Sequence, residues 1–341
     1  MRHKLATAAV LLLAVSAASA DGVISVVSTL PDFGKVAEAV GGDKVRVTMI
    51  ASGLQDPHFV DPKPSYVVKL RDADLFLVNG LELEVGWVPP LLEGARNPKI
   101  IVGAPGYVDC SRGIPVIEVP TAEVTRSEGD VHPFGNPHYM TDPLNAKIVA
   151  ETVAAALKQA LPAQAEHFEG RKKAFQLAID EAMFGKELVD LVGGNKLDRL
   201  CRSGELDAFL EKQGGAGAKL DGWLGRMRPL KGRKIVFYHK SYSYFNARFG
   251  LDVANFVELK AGIQPGPGHL AELVGQMMAE KIPVIATHPF YDDKIPALVA
   301  SKTGAQVVDL PLGVGGVKGA DDTIKYFDTV TGLLTRAFEG K

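Results

Sequence analysis

Cysteine is nearly absent from this chain, with only Cys110 and Cys201 in 341 residues and no Cys-x-x-Cys neighbour for either. That excludes a thiolate zinc ribbon and a dithiol redox motif. No apolar run beyond the first twenty residues approaches the roughly 18 needed to cross a bilayer as a helix. Neither sign of charge predominates, since 38 Lys and Arg stand against 40 Asp and Glu for a formal net charge of −2. Nucleic acid and acidic membrane surfaces are therefore not expected partners. A Gly-x-Ser-x-Gly elbow, a Walker loop and a dinucleotide fingerprint are also missing from any strand-to-helix context, so the common nucleophilic and phosphate-binding chemistries find no support.

What is present begins with a basic start at Arg2, His3 and Lys4, an apolar run from Ala6 to Val15, and Ala18-Ser19-Ala20 before Asp21. This is the pattern of a secretory signal peptide cleaved after Ala20, which places the mature protein in a bacterial periplasm. In that oxidising compartment a disulfide between Cys110 and Cys201 is the expectation, with two buried thiols as the alternative. The remaining length of about 320 residues predicts two domains.

Short β-branched runs then alternate with amphipathic segments. Val23–Ser28, Val45–Ile50 and Leu75–Val78 read as strands, with helices over Asp32–Val40 and Ser65–Arg71 and another starting at Gly86-Trp87. Lys99–Val102 and Val116–Val119 are expected as closing strands. This rhythm predicts βαβ units around a mostly parallel sheet, an N-terminal lobe over residues 21–142. From Pro143 to Val192 the period becomes helical, broken at Pro162, and the second helix is expected to run about thirty residues, or ~45 Å, as a rigid bridge. Residues 193–232 are polar and glycine-rich and read as an inserted helical flap. The βα rhythm resumes over 233–341, with strands at Lys234–Tyr238, Val253–Glu258, Val284–Thr287 and Gln306–Leu310. The fold class is α/β: two lobes of mostly parallel sheet joined by a long backbone helix, with a site in the cleft between them.

Eight histidines occur, and three are expected in loops that directly follow a strand: His58 in Asp56-Pro57-His58, His138 in Asn136-Pro137-His138, and His239 after Ile235–Tyr238. In open α/β sheets ligands bind outside the carboxyl ends of strands, so such loops share one cleft. Three neutral imidazoles with a carboxylate or water suit four-coordinate zinc. His132 shares a proline-stiffened loop with His138 and reads as an auxiliary or solvated residue. His167 reads as a surface residue, and Glu82 and Glu84 as packing and hydrogen-bonding residues beside Trp87.

Four motifs carry a resemblance. They are Asp56-Pro57-His58 with Pro64-Ser65; Asn79-Gly80-Leu81-Glu82-Leu83-Glu84 with Trp87; Asn136-Pro137-His138-Tyr139-Met140-Thr141-Asp142-Pro143; and Tyr238-His239-Lys240-Ser241-Tyr242 leading to Phe249-Gly250-Leu251. In this order they resemble the periplasmic zinc- and manganese-binding solute receptors of ABC transporters. The resemblance implies a receptor and not an enzyme, zinc as the bound ion with manganese as the alternative, and ligands at His58, His138 and His239. It also implies a membrane permease as partner, with a periplasmic metallochaperone as a second candidate, and a monomer. A zinc-dependent hydrolase and a metal-binding adhesin are the alternatives. In such receptors a carboxylate from the loop after the last strand often completes the site, but here that loop reads Val308-Asp309-Leu310-Pro311-Leu312-Gly313-Val314-Gly315-Gly316. Asp309 is the expected fourth ligand, with Asp292, Asp293, Glu258, His288 or a water molecule as alternatives.

Overall fold

The computed structural model describes residues 22–121, 132–213, 215–258 and 262–340; the signal peptide over 1–20 and its cleavage point lie outside the described residues. In the first lobe the chain runs β1 (Ile24–Ser28), α1 (Pro31–Gly41), β2 (Val45–Met49), α2 (Pro64–Arg71), β3 (Leu75–Val78), α3 (Val88–Ala95) and β4 (Tyr107–Asp109). Then come α4 (Pro143–Ala160), α5 (Ala165–Phe184), α6 (Lys186–Val192), α7 (Gly194–Ser203), α8 (Leu206–Lys212) and α9 (Gly222–Met227). The second lobe contains β5 (Lys234–Phe237), α10 (Ser243–Phe249), β6 (Asp252–Phe256), α11 (Pro267–Glu280), β7 (Val284–Thr287), α12 (Lys294–Thr303), β8 (Gln306–Asp309) and α13 (Thr323–Glu339). Its sheet has order β6-β5-β7-β8 and the first lobe's has order β2-β1-β3-β4, both wholly parallel.

The short apolar strands build these sheets because both faces are covered, and a period of two divides each strand between two cores. Ile24, Val26, Leu75 and Leu77 enter one core of the first lobe, while Val27, Phe76 and Val78 enter the other. In the second lobe Ile235, Phe237, Val284 and Ala286 face one core, and Val236 and Ile285 the opposite one. Helix α5 joins the lobes: Phe168 packs into the first lobe's core, Ile179, Met183 and Phe184 into the second's, and Phe175 lies against both.

The structure corrects four expectations. The bridging helix is 20 residues long, about 30 Å at 1.5 Å per residue. It stops at Gly185, whose φ of +86° suits glycine and whose Cβ, if present, would stand 2.8 Å from the Asp221 side chain. Residues 193–232 do not form a flap, because Leu197, Leu206, Leu210, Trp223, Met227 and Leu230 are buried in the second lobe's core. The closing strand of the first sheet is Tyr107–Asp109, paired with β3, and not Lys99–Val102 or Val116–Val119. Ile101 and Val102 are exposed, and Glu118 adopts φ +54°, which breaks an extended run. Finally, Cys110 and Cys201 are free thiols. Cys110 is sealed in the first lobe's core, whereas Cys201 lies 3.4 Å from the Arg248 guanidinium against the second lobe.

Candidate metal centre

The carboxyl ends of both sheets face one seam, and the candidate ligands come from loops at those ends. His58 follows β2 in a loop tied down by Trp87, whose Nε1 donates to the Pro57 carbonyl at 3.0 Å. Asp56 then folds back on its own loop: its Oδ1 accepts the His58 backbone N–H at 3.0 Å and lies 2.7 Å from His58 Nδ1. Burial pushes the Asp56 carboxyl up, but the His58 hydrogen bonds and charge more than reverse this and hold it below the usual carboxylate range. Asp56 is therefore an acceptor, His58 Nδ1 carries the hydrogen, and Nε2 is left as the ligating atom.

His138 is set by a longer chain of contacts. Its N–H donates to Asn136 Oδ1 at 2.9 Å and its carbonyl accepts from Thr141 Oγ1 at 2.8 Å. One residue earlier, the Pro137 carbonyl accepts from Asn79 Nδ2 at 3.1 Å. Glu84 fixes Asn79 in turn, accepting the N–H groups of Asn79 at 2.7 Å and Gly80 at 3.2 Å. This matches the hydrogen-bonding role expected for Glu84, whose buried carboxyl is raised to about 7 by desolvation. His239 follows β5, and its Nδ1 stands 3.1 Å from Glu258 Oε2 at the end of β6, both side chains being buried.

These elements bring the three rings together. Ring centroids lie 5.1 Å apart for His58 and His138, 5.8 Å for His58 and His239, and 5.6 Å for His138 and His239. Among the described residues His138 Nε2 is buried without a hydrogen-bond partner. A buried polar atom in that condition is costly unless something binds it, so the donor set fits a cation. Burial and the neighbouring imidazoles push the His138 pKa well below its ordinary value, which keeps the ring neutral and able to coordinate.

The other candidates fall elsewhere. Asp309 is exposed at the end of β8, where partial burial and the charge of Asp293 raise its pKa, and among the described residues no hydrogen bond or ion pair joins it to the imidazoles. Asp292 is exposed and bonded to Lys294, Asp293 precedes α12, and Glu258 supports His239. His288 is buried with both nitrogens engaged, Nδ1 on the Leu310 carbonyl at 2.8 Å and Nε2 on Ser241 Oγ at 2.6 Å. His132 does reach the cluster: its Nε2 lies 3.2 Å from His58 Nε2 and its ring stacks at 5.2 Å. Its position depends on a turn in which Gly135, at φ +101°, donates its N–H to the His132 carbonyl at 3.1 Å. The sequence signal for it was the second histidine six residues before His138.

Two parallel α/β lobes with buried imidazoles converging at their seam define a metal-binding solute receptor. Residues 26–183 and 217–336 match the family described as ZnuA, zinc-uptake complex component A periplasmic. The manganese ABC transporter substrate-binding lipoprotein PsaA of Streptococcus mitis is 24% identical over 292 residues, 85% of this chain and 78% of its own. The iron-binding protein YfeA of Yersinia pestis is 26% identical over 282 residues, 82% of this chain and 74% of its own. A crystal structure of ZnuA shares the fold with a TM-score of 0.68 at 21% identity, covering 92% of this chain and 99% of that one. The chain belongs to the ZnuA family of periplasmic metal-binding receptors of ABC transporters. The family match skips 184–216, so α6, α7 and α8 lie between its two matched parts.

Proposed function

We propose that this protein is exported through its N-terminal leader to the periplasm, captures one zinc ion in the interlobe cleft and delivers it to the permease of an ABC importer. His58, His138 and His239 would bind the ion through Nε2. The observation that carries this reading is the buried Nε2 of His138, which has no hydrogen-bond partner among the described residues and lies beside two imidazoles whose Nδ1 atoms are each held by a carboxylate. A nitrogen-rich set favours zinc over manganese, which prefers oxygen ligands. Asp56 and Glu258 would orient the rings and place two negative charges behind them, offsetting the charge of a divalent ion.

The test is competition of the mature, metal-stripped protein with a chromophoric chelator. One tight equivalent of zinc is expected, lost in each of His58→Ala, His138→Ala and His239→Ala, with manganese bound much more weakly. Tight binding retained in His138→Ala would sink the assignment, and tight binding retained in either of the other two would remove that residue from the ligand set. An ester or phosphoester turnover that tracked bound zinc would favour a hydrolase instead.

A further inference from the structure

We propose that His132 is the fourth ligand of the captured ion, so that the site is made of four imidazoles and no coordinating carboxylate. The proposal rests on the reading of the cleft as a transition-metal site. Two nitrogens bound at about 2.0 to 2.1 Å to one tetrahedral zinc stand roughly 3.3 to 3.4 Å apart. His132 Nε2 and His58 Nε2 are 3.2 Å apart, close to that spacing. One ligand nitrogen each from His58, His132 and His138 lies within 4.8 Å of the others, and the His239 ring stands 5.8 and 5.6 Å from those of His58 and His138, so the four imidazoles form one cluster.

Among the described residues the surroundings leave few other donors. Asp56 and Glu258 are engaged at the Nδ1 atoms of His58 and His239, and both nitrogens of His288 are hydrogen-bonded. Asp309 is exposed at the end of β8, and among the described residues no hydrogen bond or ion pair joins it to the imidazoles. The glycines of the loop after β8 serve close packing instead of ligation. A Cβ on Gly313 would fall 2.4 Å from Asp32 Oδ2, and one on Gly53 would fall 2.3 Å from the Val314 carbonyl. That wall packs backbone against the first lobe where a ligand side chain would otherwise have to fit. The turn at Gly135 meanwhile presents His132 and His138 from one loop to one point. A site of four imidazoles is also more selective against manganese than one containing a carboxylate.

Zinc K-edge X-ray absorption on the zinc-loaded wild-type protein should count four imidazoles. His132→Ala should count three, with an oxygen in the remaining place, keep one zinc equivalent, and bind it at least about tenfold more weakly. Circular dichroism and thermal unfolding of the metal-free variant should match wild type. A wild-type spectrum with three imidazoles and one oxygen overturns the proposal even if the variant does not fold, as does an unchanged spectrum in His132→Ala. The His138→Ala variant separates failure of the site from failure of its fourth ligand. If it also binds zinc like wild type, the cleft is not the metal site at all; if it loses zinc while His132→Ala is silent, only the fourth ligand is wrong.

Discussion

A histidine is a better-directed ligand when its second nitrogen is spoken for, and for His58 and His239 the carboxylates of Asp56 and Glu258 do this from opposite lobes. The carboxylate fixes the tautomer, limits ring rotation and makes the coordinating nitrogen more basic. Removing one such support should leave the ligand in place but less well aimed. Asp56→Ala is expected to weaken zinc binding about 10- to 100-fold by chelator competition while the stoichiometry stays at one; an unchanged affinity would show that the loop alone orients His58. The three principal histidines are legible because each sits beside a short motif at a strand or helix end. Their supports are harder to read, since Glu258 meets His239 only through the pairing of β5 with β6. The place of His132 is hidden for a related reason: nothing in its own neighbours says that the chain turns at Gly135 and stacks it on His58.

At the scale of elements, strand alternation is easily read, and Leu75–Val78 and Val284–Thr287 fall where the apolar runs stand. The end of α5 is not, because Lys186–Val192 is itself helical and the sequence periodicity continues through Gly185. The break is imposed from outside: the segment at 221–222 crosses there, with the Asp221 N–H donating to the Phe184 carbonyl at 3.1 Å. Gly185 at φ +86° and ψ +136° occupies a region that residues with a Cβ rarely enter. Gly185→Ala is therefore expected to cost about 1 to 3 kcal/mol, read as a lower urea midpoint for the metal-free protein with zinc stoichiometry unchanged. A midpoint equal to wild type would mean that the break relaxes into one continuous helix at no cost.

At the scale of the whole molecule, the lobes are tied by a seam of polar contacts around the candidate metal centre. Asn136 Nδ2 donates to the Lys240 carbonyl at 2.9 Å, Tyr244 Oη to the Asn136 carbonyl at 2.8 Å, and Arg248 grips Asp142 through Nε and Nη2 at distances down to 2.8 Å. On the other side Asp32, at the start of α1, accepts the Val314 N–H at 3.1 Å across the glycine-rich wall. Burial raises the Asp32 carboxyl to about 6 from an ordinary 3.8, against the opposing effect of its backbone hydrogen bonds. The sign follows from proton uptake: between pH 3.8 and 6 the folded state binds more protons than the unfolded one, so this group's contribution worsens as pH rises. Above about pH 6 the folded protein carries a buried charge at a cost of roughly 3 kcal/mol, and below about pH 4 that cost is gone. Asp32→Asn keeps a carbonyl oxygen for Val314 and removes the titration. In urea unfolding of the metal-free proteins, the stability of the variant minus that of wild type should fall by roughly 3 kcal/mol between pH 8 and pH 4, with the histidines, common to both, cancelling in the difference. A pH-independent difference would mean that Asp32 titrates as it does in the unfolded chain and that ionising it in the seam costs nothing.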